Sequence, residues 1–305
     1  MRLASVYAAV VLIWSTTPLG IRFSVESLDF IQALVIRMGL SLALCVALLK
    51  LFNIKFSVSR AALNSYVVGA VGVSGAMLCV YWATQVISSG LVAVMWGLTP
   101  LIVSMYSRLL LPNVLLGLNR LLCMALAVVG LYTIFAQQVN IGQHMVMALI
   151  VLLVGINLHS ISSVLLQKLQ ATEGYQPLHP LVQTTGSLLI SAPVYGVAWY
   201  CFSGPLPEHV SWTSMGAIAY LATFGSVAGF IGYFYLLNNM SADDVSLITL
   251  ITPVLALLLG TYLAGEQLHM NTWLGAIIIM LALLVNQQQV RHVILSIAKL
   301  SVKKA

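Results

Sequence analysis

Two ionisable side chains lie deep inside apolar stretches of the sequence, and both suit chemistry with small charged groups. Arg37 follows Phe30 by seven residues, about 10 Å along a helix. Its planar guanidinium fits a carboxylate, although it could also bond helix-end carbonyls or extend its charge outward. His159 follows Met145 by 14 residues and could carry a coupled proton or simply bond a neighbouring helix. We expect Arg37 to position a solute or a gate, and His159 to set any pH dependence.

Proline is costly inside an apolar run because it removes a backbone donor and clashes with the preceding turn. This chain nevertheless places Thr99-Pro100 in LTPLIVSMYSRLLLPNVL and Thr252-Pro253 in LITPVLALLLGTYLAGEQ, 153 residues later. In lipid, neighbouring helices or a threonine hydroxyl can satisfy the freed carbonyl. The prolines are then either packing kinks or bends that open backbone carbonyls onto a central cavity.

Further polar and aromatic side chains lie at depth in the apolar runs, where such residues usually face the interior of a helix bundle. For any single aromatic residue, the alternative is a lipid-facing or packing role. Besides Arg37, His159, Thr99 and Thr252, the candidates for a solute pathway are Trp14, Thr17, Tyr81, Trp96, Asn157 and Tyr235.

The acidic residues argue against enzymatic chemistry. All seven Asp and Glu fall in loops or at helix ends, which leaves no buried carboxylate as a proton relay or sodium ligand. The sequence contains no HExxH, GxSxG or Walker A motif and no paired His/Asp motif at membrane depth. We expect no catalytic residue, no metal and no cofactor.

Helices in a lipid bilayer must position these residues. The 305-residue chain is 61% hydrophobic and 7% charged, whereas soluble domains are roughly 25% charged. Apolar runs of about 20 residues predict spans, and backbone groups in lipid require them to be helices. The expected fold is an all-α polytopic membrane protein with ten spans, at 3–23, 30–52, 64–87, 90–111, 119–136, 145–168, 179–202, 213–237, 243–264 and 271–289.

The basic residues predict the orientation of the spans. With the N-terminus in the cytoplasm, eleven Lys and Arg fall on the cytoplasmic side and none falls in an outer loop. We expect an integral protein of the cytoplasmic (inner) membrane with both termini cytoplasmic. The net charge of +6 forms no basic face, so the expected partners are the bilayer and a small molecule rather than nucleic acid. The sequence does not set an oligomeric state.

The two halves of the chain repeat each other. At a shift of 153 residues the matched pairs include Ser88 and Ser241, Gly72 and Gly225, Thr99 and Thr252, and Pro100 and Pro253. Nearer the start of each half, a shift of 146 pairs Arg37 with Gln183. Five spans per half is an odd number, so the halves would form an inverted-topology repeat, as in many secondary transporters. We expect one repeat over 1–137, a second over 145–289 and a basic cytoplasmic tail over 290–305.

The two proline-bearing spans end differently. The second reads SADDVSLITLITPVLALLLGTYLAGEQL and ends in Gly265-Glu266, whereas the first ends in Pro112-Asn113.

With these motifs, nearly the whole chain resembles the EamA-type branch of the drug/metabolite transporter superfamily. That family has ten spans in two five-helix repeats, and its fourth helix typically carries a mid-helix proline and ends in Gly-Glu. The second repeat is similar throughout, while the first keeps Pro100 but lacks Gly-Glu. Trp14 followed by STTP, and ALVIR ending in Arg37, are also similar to the family's pattern. The resemblance implies a membrane transport protein.

The leading hypothesis is a secondary transporter that moves a small organic metabolite, such as an amino acid, out of the cell by alternating access. A structural or assembly membrane protein is the first alternative, but it would not need matched prolines or an arginine at depth. An intramembrane enzyme is the second, and it would need a catalytic pair such as Ser-Lys or a metal set at membrane depth.

Overall fold

The computed structural model describes residues 3–112, 143–265 and 270–285, with scattered residues between 122 and 133. Within this part of the chain, every regular element is a helix. The first half contains α1 (Leu3–Ser24), α2 (Phe30–Leu51), α3 (Arg60–Ala70), α4 (Ala76–Ala83), α5 (Ser89–Trp96) and α6 (Thr99–Leu110). The second half contains α7 (Gln143–Gln170), α8 (Pro180–Phe202), α9 (Trp212–Tyr220), α10 (Gly229–Leu237), α11 (Ala242–Ser246), α12 (Ile248–Ala264) and α13 (Met270–Val285). Most of the predicted span 119–136 and the whole tail 290–305 lie outside the described residues.

Seven helical stretches among the described residues are long and apolar enough to cross a bilayer. They are Leu3–Ser24, Phe30–Leu51, Arg60–Ala83, Ser89–Leu110, Gln143–Gln170, Pro180–Phe202 and Trp212–Leu237. The predicted ninth and tenth spans correspond to α11 with α12 and to α13, where α12 has 17 described residues and α13 has 16. The chain is thus an all-helical, integral membrane protein in the part described.

Serine side chains begin several of these helices and satisfy backbone donors that would otherwise be orphaned. Ser88 Oγ accepts from the backbone N–H of Leu91 at 3.3 Å, and Ser241 Oγ accepts from that of Asp244 at 3.1 Å. These two serines are the pair that the 153-residue shift aligns. The fourth and ninth spans therefore begin with the same capping chemistry.

A π-helical segment interrupts the third span and another interrupts the eighth. The first covers Val71–Gly75 and joins α3 to α4, and the second covers Leu221–Ala228 and joins α9 to α10. The matched glycines Gly72 and Gly225 lie in these segments. Single π turns inside α-helices are rare and often occur at functional sites.

A turn at Gly97 and Leu98 separates α5 from α6, just before Pro100. The carbonyl that Pro100 leaves without a backbone donor is that of Trp96, four residues earlier. The hydroxyl of Thr99 donates to this carbonyl at 2.6 Å. The Thr-Pro pair in the first half therefore needs no neighbouring helix to bond the freed carbonyl, because the threonine replaces the hydrogen bond that the proline removes.

The two halves interleave across the bundle. α1 packs on α12, α2 and α3 pack on α8, and α4 and α6 pack on α7. Each half therefore contributes walls to whatever space the bundle encloses. We call the end of the bundle at which α1 begins the near end.

Candidate solute cavity

A cavity of about 70 Å³ lies inside the bundle, between helices of both halves. This volume has room for about five water molecules. Its walls are mostly apolar, with a few polar groups that converge on the space. The lining residues are Trp14, Thr17, Pro18, Ile21, Arg37, Gly72, Met77, Val80, Val92, Ala93, Trp96, His159, Gly225, Phe230, Thr249 and Thr252.

Arg37 brings a charged group to the wall of this cavity, with 1% of its surface exposed. Its Nε donates to Ser226 Oγ at 2.9 Å and its Nη1 to the hydroxyl of Tyr81 at 3.3 Å. The guanidinium carbon also lies 5.8 Å from the centre of the Tyr81 ring. Both partners are neutral, so the described contacts orient this charge without neutralising it.

The surroundings of the guanidinium leave room and polar groups beside it. A Cβ atom on Gly225 would lie 3.2 Å from Nη2 of Arg37, so the absence of a side chain there allows the close approach. Tyr195 on α8 interacts electrostatically with Arg37, and its buried hydroxyl has no hydrogen-bond partner among the described residues. The second π-helical segment therefore positions Arg37 through Ser226 and makes space for it at Gly225.

Four aromatic rings form a layer at one side of the cavity. The ring centre of His159 lies 6.0 Å from that of Trp14, 5.1 Å from that of Trp96 and 5.1 Å from that of Tyr233. Trp14 and Tyr233 lie 5.2 Å apart. These rings come from α1, α5, α7 and α10, so the layer joins the two halves of the chain.

A second space of about 10 Å³ lies on the other side of this aromatic layer and has room for about one water molecule. It shares Trp14, His159 and Thr249 with the larger cavity. Its other lining residues are Thr99, Val103, Ser163, Tyr233, Ala242, Val245 and Ser246. The aromatic layer therefore separates two spaces, of which the one towards the near end is almost filled.

Three hydrogen bonds to the start of α11 close the near end. Ser104 Oγ donates to Asp243 Oδ1 at 2.7 Å, and the backbone N–H of Ala242 donates to Gln167 Oε1 at 2.7 Å. The hydroxyl of Tyr7 donates to the carbonyl of Asp244 at 3.4 Å. Helices α1, α6 and α7 are thus held to one short helix.

Most of the residues proposed for a pathway border these spaces. Trp14, Thr17, Arg37, Trp96, His159 and Thr252 line the larger cavity, and Thr99 lines the smaller one. Tyr81 is fully buried behind Arg37 and acts as its partner.

The remaining proposed residues lie elsewhere. Asn157 accepts from the Tyr106 hydroxyl at 3.1 Å and donates to the carbonyl of Leu153 at 2.8 Å, away from both spaces. Tyr235 is partly exposed and borders neither space. Pro100 and Pro253 are buried but are not among the lining residues of either space.

Sequence reasoning did not commit to Tyr233, which borders the smaller space and packs against His159 with a tilt of 33° between the rings. Phe230 and Tyr233 lie three residues apart in α10 and share one face of that helix, whereas Tyr235 lies on another face. The sequence does not tell which of these faces is buried, because the π-helical segment before α10 shifts the helical register.

Comparison with known proteins decides the family. The profile of the EamA-like transporter family matches residues 3–136 and matches again over 146–287. This chain belongs to the EamA-like transporter family. The resemblance seen in its motifs is confirmed, and the family is one of membrane transporters rather than enzymes.

Relatives of this EamA-like transporter carry names of the same kind. This chain is 28% identical over 280 residues to the "Uncharacterized inner membrane transporter YedA" of Escherichia coli K12, and the aligned region covers 90% of this chain and 87% of that protein. It is 22% identical to the "Uncharacterized transporter YoaV" of Bacillus subtilis, covering 91% and 94%. A solved crystal structure superposes with a TM-score of 0.67 over 95% of this chain and 98% of its own, at 14% identity, which shows a shared fold.

Proposed function

We propose that this EamA-like transporter is a secondary transporter that moves a small organic metabolite, amino acids included, out of the cell by alternating access. The observation that carries the proposal is the pair of spaces on either side of the aromatic layer. Alternating access needs a binding site that communicates with one side of the membrane at a time. A layer of four rings between a larger and an almost filled space is suited to that task.

The same proposal includes ten spans in two inverted repeats, with both termini in the cytoplasm. Corresponding features of the two halves support it. Ser88 and Ser241 are both helix caps, and Gly72 and Gly225 both lie in π-helical segments and line the larger cavity. In inverted repeats, such matched elements sit around a shared site near the middle of the bilayer.

A flux assay tests the transport proposal directly. Proteoliposomes that contain the purified protein are preloaded with radiolabelled solutes, drawn from a panel of amino acids and other organic acids. Efflux of each solute is then followed with and without a proton gradient. We expect at least one solute to leave these vesicles faster than it leaves preloaded liposomes that contain no protein. The Trp96→Ala variant, which opens the aromatic layer, should lower that flux at least fivefold.

Trp212→Ala is the matched control, because Trp212 is 85% exposed at the start of α9 and lies outside the cavity. It should keep the flux of the unaltered protein. Absence of flux for every solute in correctly folded protein would favour a structural or assembly role. Equal flux in Trp96→Ala and in the unaltered protein would remove the aromatic layer from the pathway.

Cysteine labelling tests the orientation. Single cysteines are placed at Lys55 and at Glu208, both exposed, in a background without the four native cysteines. An impermeant thiol reagent added to intact cells should label position 208 and reach position 55 only after permeabilisation. Labelling in the opposite order would invert the proposed topology.

A further inference from the structure

We infer that Nη2 of the Arg37 guanidinium is a carboxylate-binding subsite, and that the cavity selects organic monoanions over zwitterionic amino acids. The inference rests on the proposed transport function and narrows its substrate class. It concerns the charge that the solute carries when it lies in the larger cavity.

The guanidinium has donors to spare. Arginine carries five N–H donors in a fixed fork, and the bonds to Ser226 and Tyr81 use two of them. Nη2 has no hydrogen-bond partner among the described residues, and the residue borders the cavity. The bonds from Nε and Nη1 lie on different sides of the guanidinium and fix its plane, so the N–H groups of Nη2 are held in a fixed geometry.

A buried charge with neutral partners is costly unless an opposite charge meets it. Arg37 stays protonated at any physiological pH, so it cannot escape this cost by losing its proton. A solute carboxylate would supply both the opposite charge and acceptor oxygens for the N–H groups of Nη2, in a charge-assisted hydrogen bond. Binding would therefore repair an electrostatic imbalance in the empty protein.

The rest of the lining argues against a second, positive charge on the solute. Among the described lining residues none is Asp or Glu, and the other ionisable group is His159, which is neutral or cationic and never anionic. An ammonium group would find aromatic faces at Trp14, Trp96 and Phe230, but no anionic partner, and both Trp rings already pack against His159. The α-ammonium of an amino acid would thus lose its hydration without gaining an anionic partner.

The remaining walls suit an uncharged, apolar body. Met77, Val80, Val92 and Phe230 line the same space. A branched carboxylic acid would place its carboxylate on Arg37 and its hydrocarbon part against these side chains. The class of solute that fits is a small monocarboxylate with an apolar chain.

Three ligands of nearly equal size test this selection: 4-methylpentanoate, its amide, and leucine, which is the same acid with an α-ammonium group. Binding to the purified protein in detergent is measured by isothermal titration calorimetry at pH 7.5. We expect the acid to bind at least tenfold more tightly than either the amide or leucine. Leucine binding as tightly as the acid, or no detectable binding of the acid at millimolar concentration, would overturn the inference.

Arg37→Gln should remove the preference, so that acid and amide bind with similar affinity. Arg37→Lys keeps the charge without the planar fork and should retain part of the preference, which keeps the test decisive if Arg37→Gln is unstable. Arg22→Gln removes a positive charge on the exposed part of α1 and should leave the acid affinity unchanged. A preference for the acid that survives Arg37→Gln in folded protein would overturn the assignment to Arg37.

The flux and binding results separate the two proposals. Flux of amino acids without a preference for the acid would sustain transport and overturn the subsite. A strong preference for the acid in protein that moves no solute would sustain the subsite and overturn transport.

Discussion

Arg37 and Gln183 occupy matched positions in the two halves of the chain, but their surroundings differ. Gln183 accepts from Ser65 Oγ at 2.7 Å, and its Nε2 donates to the Ser65 carbonyl at 2.9 Å and to Ser187 Oγ at 3.1 Å. Both hydrogens of its amide are used, and it lines neither space. Arg37 makes two such bonds and lines the larger cavity.

A glycine on the neighbouring span faces each of the two residues. A Cβ atom on Gly69 would lie 2.7 Å from Nε2 of Gln183, and one on Gly225 would lie 3.2 Å from Nη2 of Arg37. The first contact is too short for any real Cβ, while the second needs a shift of a few tenths of an ångström. One copy of the position is thus a structural clamp between helices, while the other borders the larger cavity.

The largest effect should come from Gly69→Ala. The new methyl group would collide with Ser187 Oγ and with Nε2 of Gln183 and disturb the hydrogen bonds of Gln183, so we expect the free energy of unfolding to fall by about 3 kcal/mol. Unfolding in mixed detergent micelles measures it. Gly39→Ala is the matched control because no atom lies within 4 Å of its new Cβ. Equal stability of the two variants would show that the Gln183 clamp tolerates displacement.

Gln183→Ala should have an intermediate effect that is confined to stability. Removal of the amide takes away the acceptor of the buried Ser65 hydroxyl, which keeps only the bond it accepts from Tyr175, and this costs about 1–2 kcal/mol. The affinity for 4-methylpentanoate should stay within twofold of that of the unaltered protein, because the residue lies outside the cavity. A loss of affinity as large as that in Arg37→Gln would contradict the division of roles between the two positions.

Gly225→Ala should give the smallest change, and this change should be in ligand affinity rather than in stability. Its methyl group would press on Nη2 of Arg37 and tilt the fork, so we expect two- to fivefold weaker binding of the acid. The free energy of unfolding should change by less than about 1 kcal/mol, since the neighbouring atoms need to move only slightly. Titration calorimetry and micelle unfolding on the same preparation compare the two effects. Unaltered acid affinity would contradict a carboxylate contact at Nη2 of Arg37.

Much of the helical fold could be predicted from the sequence, because membrane spans are recognisable by their length and apolar composition. The capping serines Ser88 and Ser241 and the glycines Gly72 and Gly225 stood out through the repeat alone. The choice of Tyr235 over Tyr233 failed to find the ring that contacts His159, for a physical reason. A π-helical segment adds residues to a turn and rotates every side chain beyond it, so a helical pattern no longer tells which face is buried.

The partners of Arg37 show a second limit of sequence reasoning. Ser226 lies 189 residues away along the chain, and no local pattern connects the two residues. The arginine itself was identifiable because a charge inside an apolar run is rare. Whether it was satisfied by protein or left with free donors depended on tertiary contacts across the two halves.

The three hydrogen bonds to the start of α11 have a kinetic consequence. They connect α1, α6 and α7 to one helix of five residues, so α11 cannot move away from these neighbours unless all three bonds break. An opening of this end in which α11 moves would break the bonds nearly together, which would give that step a large activation enthalpy and a rate that rises steeply with temperature. Substitutions at Ser104 or Gln167 would then change how often the near end opens while leaving untouched how tightly a solute is held.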